Sequence, residues 1–332
     1  MSTQNHSNAA NRSSNTERTR VHLGLDLTAA GARRFAGHLP VPAPVGALNA
    51  ERLNELVRTA ERGALDLVAI SDDFRLQPET IGLLRGRLDA AVITSRLGRV
   101  TDRLGLVATI SPESNEPGHV ATALQTISRN SGGRAGWQVD GSTPDRLVSA
   151  VTRQVSSIAP TVVSVRNRAH LERAGRLADV VRIGAHTLED AREQRRIVRT
   201  AALESGRDAD DVLVLVDLFA VTGPDRASAE ARLDLLDAFE GAEVVAAHSD
   251  SIIQVGTPLD LADLIEEWHA AGAVDGFIVT PSSLVADVAG LVDGVVPALR
   301  AKGIFRDGYP GATLRETLGL TSSVHSLTGT GR

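Results

Sequence analysis

The chain has 332 residues, a net charge of −6 and no cysteine. That composition excludes disulfides and thiolate catalysis, and it offers no basic surplus for nucleic acid. Hydrophobic residues make up 42% but aromatics only 3%, so the core must be Val, Leu, Ile and Ala, which suits buried parallel strands and the helices that cover them.

Residues 1–20 are rich in Ser and Asn with no apolar run. They read as a disordered polar tail rather than a signal peptide, which would need an apolar h-region. No stretch approaches the ~18 apolar residues of a membrane span, so a cytoplasmic location is expected. Residues 21–320 read as a single domain, and 321–332 as a flexible tail.

From residue 21 onward, one unit recurs. "LNELVRTAERGALDLVAISDD", "HLERAGRLADVVRIGA" and "LADLIEEWHAAGAVDGFIVTPS" each carry apolar residues at three- and four-residue spacing. A small-residue turn follows, then an Asp, then a short apolar strand. The shift in period marks a helix feeding a strand covered on both faces. The three carboxylates, Asp66, Asp179 and Asp275, are expected to hydrogen-bond within the αβ turns.

In chain order the strands are "VHLGLDL", "DLVAIS", "LGLVATI", "RAGWQV", "TVVSV", "VVRIG", "VLVLVDLFAV" and "GFIVT". Helical patterns separate most of them, and a long one, "LVADVAGLVDGVVPALRAKG", follows the last. Eight βα units predict an α/β fold of the (β/α)8 TIM-barrel type. A doubly wound open sheet is the alternative, disfavoured by the absence of a Gly-rich dinucleotide fingerprint after an early strand. A barrel puts its site in the βα loops at the C-terminal strand ends.

The stretch "NEPGHVATALQTISRNSGGRAGWQV" poses a question at both ends. The Glu-Pro-Gly-His precedes a helix on the expected site face. The Gly-Gly-Arg-Ala-Gly precedes a strand and so falls on the opposite, stabilising face. In the strand itself Trp137 and Gln138 alternate. We expect Trp137 to pack against helices and Gln138 to face the barrel interior. Trp268 lies on an amphipathic helix and is expected to be a core or interface residue. The nine His show no metal-ligand spacing, so no metal is expected.

These same segments resemble the bacterial luciferase-like flavin monooxygenases, and most closely the nitrilotriacetate monooxygenase branch. The resemblance rests on "LGLVATISPESNEPGHVATALQTISRNSGGRAGWQV", "ALDLVAISDDF", "GTPLDLADLIEEWHAAGAVDGFIVTP" and "VVPALRAKGIFRDGYPGATLRETLGL". It implies a luciferase-like (β/α)8 barrel that binds FMN. The reduced form, delivered by a separate flavin reductase, would be used with O2 to oxygenate a small organic substrate. It also implies a homodimer. By position, Asp72 matches an Asp near the flavin ring, and Thr109 and Ser111 match polar residues after the third strand. Gln138 stands where an Asn usually contacts flavin, and His119, the catalytic candidate, matches the His of the Glu-Pro-x-His turn. Arg166, with Arg168, stands in the phosphate region.

The chain departs from that pattern in four places. Only "DGSTPDRLVSAVTRQVSSIA" separates the fourth and fifth strands, where relatives carry a long covering insertion. "SVRNRAH" replaces a Gly-containing phosphate loop. "TAAGARRFAGH" moves an early His away from its Gly, to His38, and "SPESNEP" adds Glu113. Two alternatives therefore stand beside the monooxygenase reading: a degenerate, non-catalytic flavin-binding or protein-interaction barrel, and a deazaflavin-dependent dehydrogenase.

Overall fold

The computed structural model describes residues 20–28, 50–71, 89–240 and 250–320. Parallel pairing runs from β1 (His22–Asp26) through β2 (Leu67–Ser71), β3 (Gly105–Thr109), β4 (Ala135–Asp140), β5 (Thr161–Val165) and β6 (Val180–Ile183). It continues to β7 (Leu213–Thr222), skips to β9 (Gly276–Pro281) and returns to β1. The sheet closes on itself, so the fold is a (β/α)8 barrel rather than the open alternative.

One strand was not anticipated. β8 (Ile252–Gly256) lies outside the ring and pairs with Leu218–Thr222 of β7. The run "VLVLVDLFAV" is long enough for two tasks. Its first residues pair with β6, and its last ones extend beyond the shorter neighbour and carry β8.

The helices are α1 (Ala50–Arg62), α2 (Ala90–Leu97), α3 (Pro117–Ser131), α4 (Asp145–Val155), α5 (Leu171–Leu177) and α6 (Leu188–Glu204). After β7 come α7 (Arg226–Glu240) and α8 (Pro258–Ala270). The single long helix expected after β9 is three pieces: α9 (Ala286–Gly290), a π turn (Leu291–Val295) and α10 (Val296–Ala301). Pro297 has no N–H to give the Asp293 carbonyl in α register, so the ladder widens there.

Two apolar layers follow from strand alternation. Val68, Leu106, Trp137, Val163, Val181 and Phe277 pack outward in the cluster beneath the helices. Leu67, Val107, Val162, Val180, Leu215 and Ile278 point inward and meet Leu314 and Leu318. Leu314 opens α11 (Leu314–Thr317), a short helix with a capping box from Thr313 and Glu316 that plugs the barrel floor. Gly105 makes room for it: a Cβ there would sit 2.4 Å from Leu314 Cδ1.

The three recurrent aspartates do more than close their own turns. Asp66 Oδ2 accepts from the Leu23 amide at 2.7 Å, Asp179 Oδ2 from Thr161 at 2.8 Å, and Asp275 Oδ2 from Val214 at 2.8 Å. Each carboxylate thus ties the start of its own strand to the start of the neighbouring one. Arginines complete them: Arg306 at Asp66, Arg315 at Asp179, and Arg195 with Arg199 at Asp275.

The Gly-Gly-Arg end of the opening stretch is also structural. Gly132 adopts φ 66° as the left-handed cap of α3. Arg134, 2% exposed, donates to the carbonyls of Gly98, Thr101, Leu104 and Ser131 and to Thr101 Oγ1. It satisfies backbone carbonyls left over where α2 and α3 end and β3 begins.

Candidate functional site

Above the apolar floor the inward positions turn polar. Asp26, Thr109, Gln138, Arg182 and Asp217 each lie two residues beyond an inward residue of β1, β3, β4, β6 or β7, so all share the interior face. Arg182 lies at the centre, 5% exposed. Its Nη2 meets Asp26 Oδ2 at 2.8 Å and Asp217 Oδ1 at 2.8 Å. Nε also donates to Asp217 Oδ1, and Nη1 donates to Gln138 Oε1 at 2.8 Å. Gln138 Nε2 then donates to Thr109 Oγ1 at 3.0 Å.

The two carboxylates around Arg182 differ. Burial pushes Asp26 up, but the guanidinium and the hydrogen bonds from Thr28 outweigh it, and the group lies below its ordinary value. At Asp217 burial is the largest effect, and the nearby Asp26 charge adds to it. Arg182 and Arg166 offset this only partly, so Asp217 lies above its ordinary value. Two flanking carboxylates raise the Arg182 pKa despite its burial; it stays charged. Asp217 has the more open side chain of the two, 23% exposed against 12% for Asp26.

Of the residues expected from sequence, Thr109 and Gln138 are brought into direct contact. Gln138 faces inward as anticipated. Trp137 faces the helices, fully buried, with Nε1 donating to the Ile110 carbonyl at 3.0 Å. Ser111 lies in the loop beyond β3, where its Oγ accepts from the Glu113 amide. His119 is exposed on the first turn of α3. Its Glu-Pro-Gly context is a helix start: Glu116 is the N-cap and Pro117 follows, where no N–H is required. Arg166 is exposed just beyond β5. Arg168 is committed elsewhere, with Nη1 2.7 Å from Asp190 Oδ1. Asp72 and His38 lie outside the described residues.

The α6 N-terminus already has Glu189 and Asp190 in its first turn. These carboxylates answer the helix dipole themselves and oppose a phosphate there. Asp287, fully buried, accepts from the Thr222 and Ser283 amides, the Thr222 and Ser282 hydroxyls and Arg232. It fastens the β7 and β9 ends of the rim to α7.

Sequence reasoning missed Asp26, Arg182 and Asp217. Each is a single charge inside an apolar strand, in "VHLGLDL", "VVRIG" and "VLVLVDLFAV". That is a recognisable signal, because a charge in such a run needs a partner. No group of His, Asp or Glu among the described residues could hold a metal ion. No described helix is long and apolar enough to cross a membrane.

Comparison with known proteins agrees with the geometry. The family model "Luciferase-like monooxygenase" matches residues 139–275. N-acetyl-S-(2-succino)cysteine monooxygenase of Bacillus subtilis (strain 168) is 23% identical over an alignment of 435 positions covering 93% of this chain and 99% of that protein. Nitrilotriacetate monooxygenase component A of Aminobacter aminovorans is 22% identical over 443 positions, covering 92% and 98%. Both alignments exceed the 332 residues of this chain, so these relatives carry segments it lacks. Among solved structures, riboflavin lyase with modified FMN and riboflavin superposes with a TM-score of 0.75 at 18% identity, covering 91% of this chain and 96% of that one. An F420-dependent secondary alcohol dehydrogenase with an F420–acetone adduct gives 0.62 at 16% identity, covering 85% and 99%.

Proposed function

We propose that the chain is a divergent, shortened member of the luciferase-like monooxygenase family and that it is an FMN-dependent oxidoreductase. It would take reduced flavin from a separate reductase and oxygenate a small organic substrate. The observation that supports this most is the Thr109–Gln138–Arg182 layer at the C-terminal end of a closed barrel.

That layer fits the polar edge of a flavin. Gln138 keeps one amide hydrogen beyond the bond to Thr109, and Thr109 keeps its hydroxyl proton. Donors therefore face the barrel mouth from two adjacent strands. Flavin, when bound, supplies the electrons and the reaction with oxygen. This chain's residues would bind and orient it: Gln138, Thr109, Ser111 and Asp72 at the ring, and Arg166 at the phosphate as a planar, forked donor beside the rim. His119 would shape the reacting edge from the start of α3. The homodimer is our working assembly, tested by light scattering.

Purified protein is to be titrated with oxidised and with reduced FMN, read by flavin fluorescence and absorbance. Saturable binding, followed by reductase-coupled oxygen consumption with a substrate, is the expected result. Failure to bind either redox form refutes the reading.

One observation favours a second reading. Only α4 lies between β4 and β5, the place where the family that the sequence resembles is expected to carry a covering insertion. A mouth without that cover would favour flavin binding without productive oxygenation. Flavin binding with no substrate-dependent oxygen use would support that degenerate barrel. Preferential binding of a deazaflavin over FMN in direct competition would favour a dehydrogenase.

A further inference from the structure

Hydrogen-bond polarity in the interior layer is fixed by chemistry. Arginine has donors only, so the Gln138 atom 2.8 Å from Arg182 Nη1 must be the carbonyl oxygen. The amide nitrogen then faces Thr109, 3.0 Å away. A side-chain NH2 donates, so Thr109 Oγ1 must accept. Its own proton is left to point elsewhere, and no other partner for it lies among the described residues. Arg182 is itself held from two sides, by Asp26 and Asp217, and cannot rotate away to release Gln138.

We propose that Arg182 is a positioning residue that sets the direction of a hydrogen-bond chain, Arg182 to Gln138 to Thr109, so that Thr109 presents a proton to an acceptor atom of the ring bound in the barrel mouth. The acceptor is a ring carbonyl or an unprotonated ring nitrogen. The ligand half of this inference rests on the flavin reading above; the direction of the chain does not. Thr109 thereby selects a ligand edge by its hydrogen-bonding sense. An edge presenting only N–H at that point leaves the Thr109 proton without an acceptor and is disfavoured.

The direction is tested first without ligand. In protein labelled with 15N at glutamine, the two Gln138 Nε2 protons are expected to be resolved, slow to exchange with water, and shifted in Thr109→Val. Averaged, fast-exchanging signals overturn the chain. The ligand half is tested by oxidised FMN titration of a double-mutant cycle. Thr109→Val should weaken binding about 5- to 10-fold, the loss of one hydrogen bond, while Thr109→Ser restores it. Gln138→Glu accepts from both neighbours, so it turns the Thr109 proton inward. In that background Thr109→Val should therefore cost less than about 2-fold. An equal penalty in both backgrounds, or none in the wild-type background, overturns the proposal. Thermal unfolding of each variant confirms folding, and if Gln138→Glu does not fold, the Val/Ser pair and the amide signals decide. Wild-type protein that binds no flavin while the Gln138 amide stays locked refutes the flavin reading and upholds the direction of the chain.

Discussion

Asp66→Asn isolates the charge in the most deeply buried of the three strand ties. Asp66 is fully buried. One oxygen takes the Leu23 amide at 2.7 Å. The other takes His22 Nδ1 at 2.8 Å and Arg306 Nη1 at 2.9 Å. Burial alone would raise this carboxyl, but the Arg306 and His22 contacts prevail and bring it from 3.8 down to about 2. A folded pKa below the unfolded one stabilises the protein above the unfolded value, and that stability is lost as pH falls from about 4 towards 2. The difference corresponds to about 2 kcal/mol at neutral pH. Asparagine keeps the size and one acceptor but removes the charge. Urea unfolding at pH 7 should therefore show a loss of about 2 kcal/mol, shrinking to about half near pH 3. A gap below about 0.5 kcal/mol at pH 7, or one that does not change with pH, would refute the assignment of that stability to the ionised carboxylate.

Arg134→Met removes five hydrogen bonds to buried acceptors at the ends of α2 and α3 and just before β3. It should cost about 3 kcal/mol or more in the same denaturant assay, since several carbonyls lose their partner at once. Trp137→Phe deletes one buried N–H to the Ile110 carbonyl and should cost about 1–2 kcal/mol. Because that ring faces the helices, FMN affinity should not change, and a weakened Kd would show that the strand alternation described above is wrong at β4.

The barrel was legible because each unit changes its apolar period where helix gives way to strand. The three aspartates were legible as turn residues, but their reach to the adjacent strand start was not, since Asp275 and Val214 meet only once the ring closes. The same limit hid Asp26, Arg182 and Asp217, which lie far apart in the chain and become partners through barrel closure alone. Gln138 and Thr109 were found through resemblance and alternation, yet nothing local in the sequence says that Arg182 orients them. β8 escaped notice because the ten residues of β7 read as one strand serving one sheet position. Arg168 looked equivalent to Arg166 in "SVRNRAH" until α6 packed Asp190 against it.

The pairing of β1 with β9 has a consequence for biosynthesis. The first strand waits through roughly 250 residues of translation for its second neighbour. Until Gly276–Pro281 emerges, the nascent sheet is an unclosed arc with raw edges at β1 and β7. Ribosome-bound intermediates that stop short of this strand would therefore be sticky, and interrupted translation products should be the species that demand chaperones.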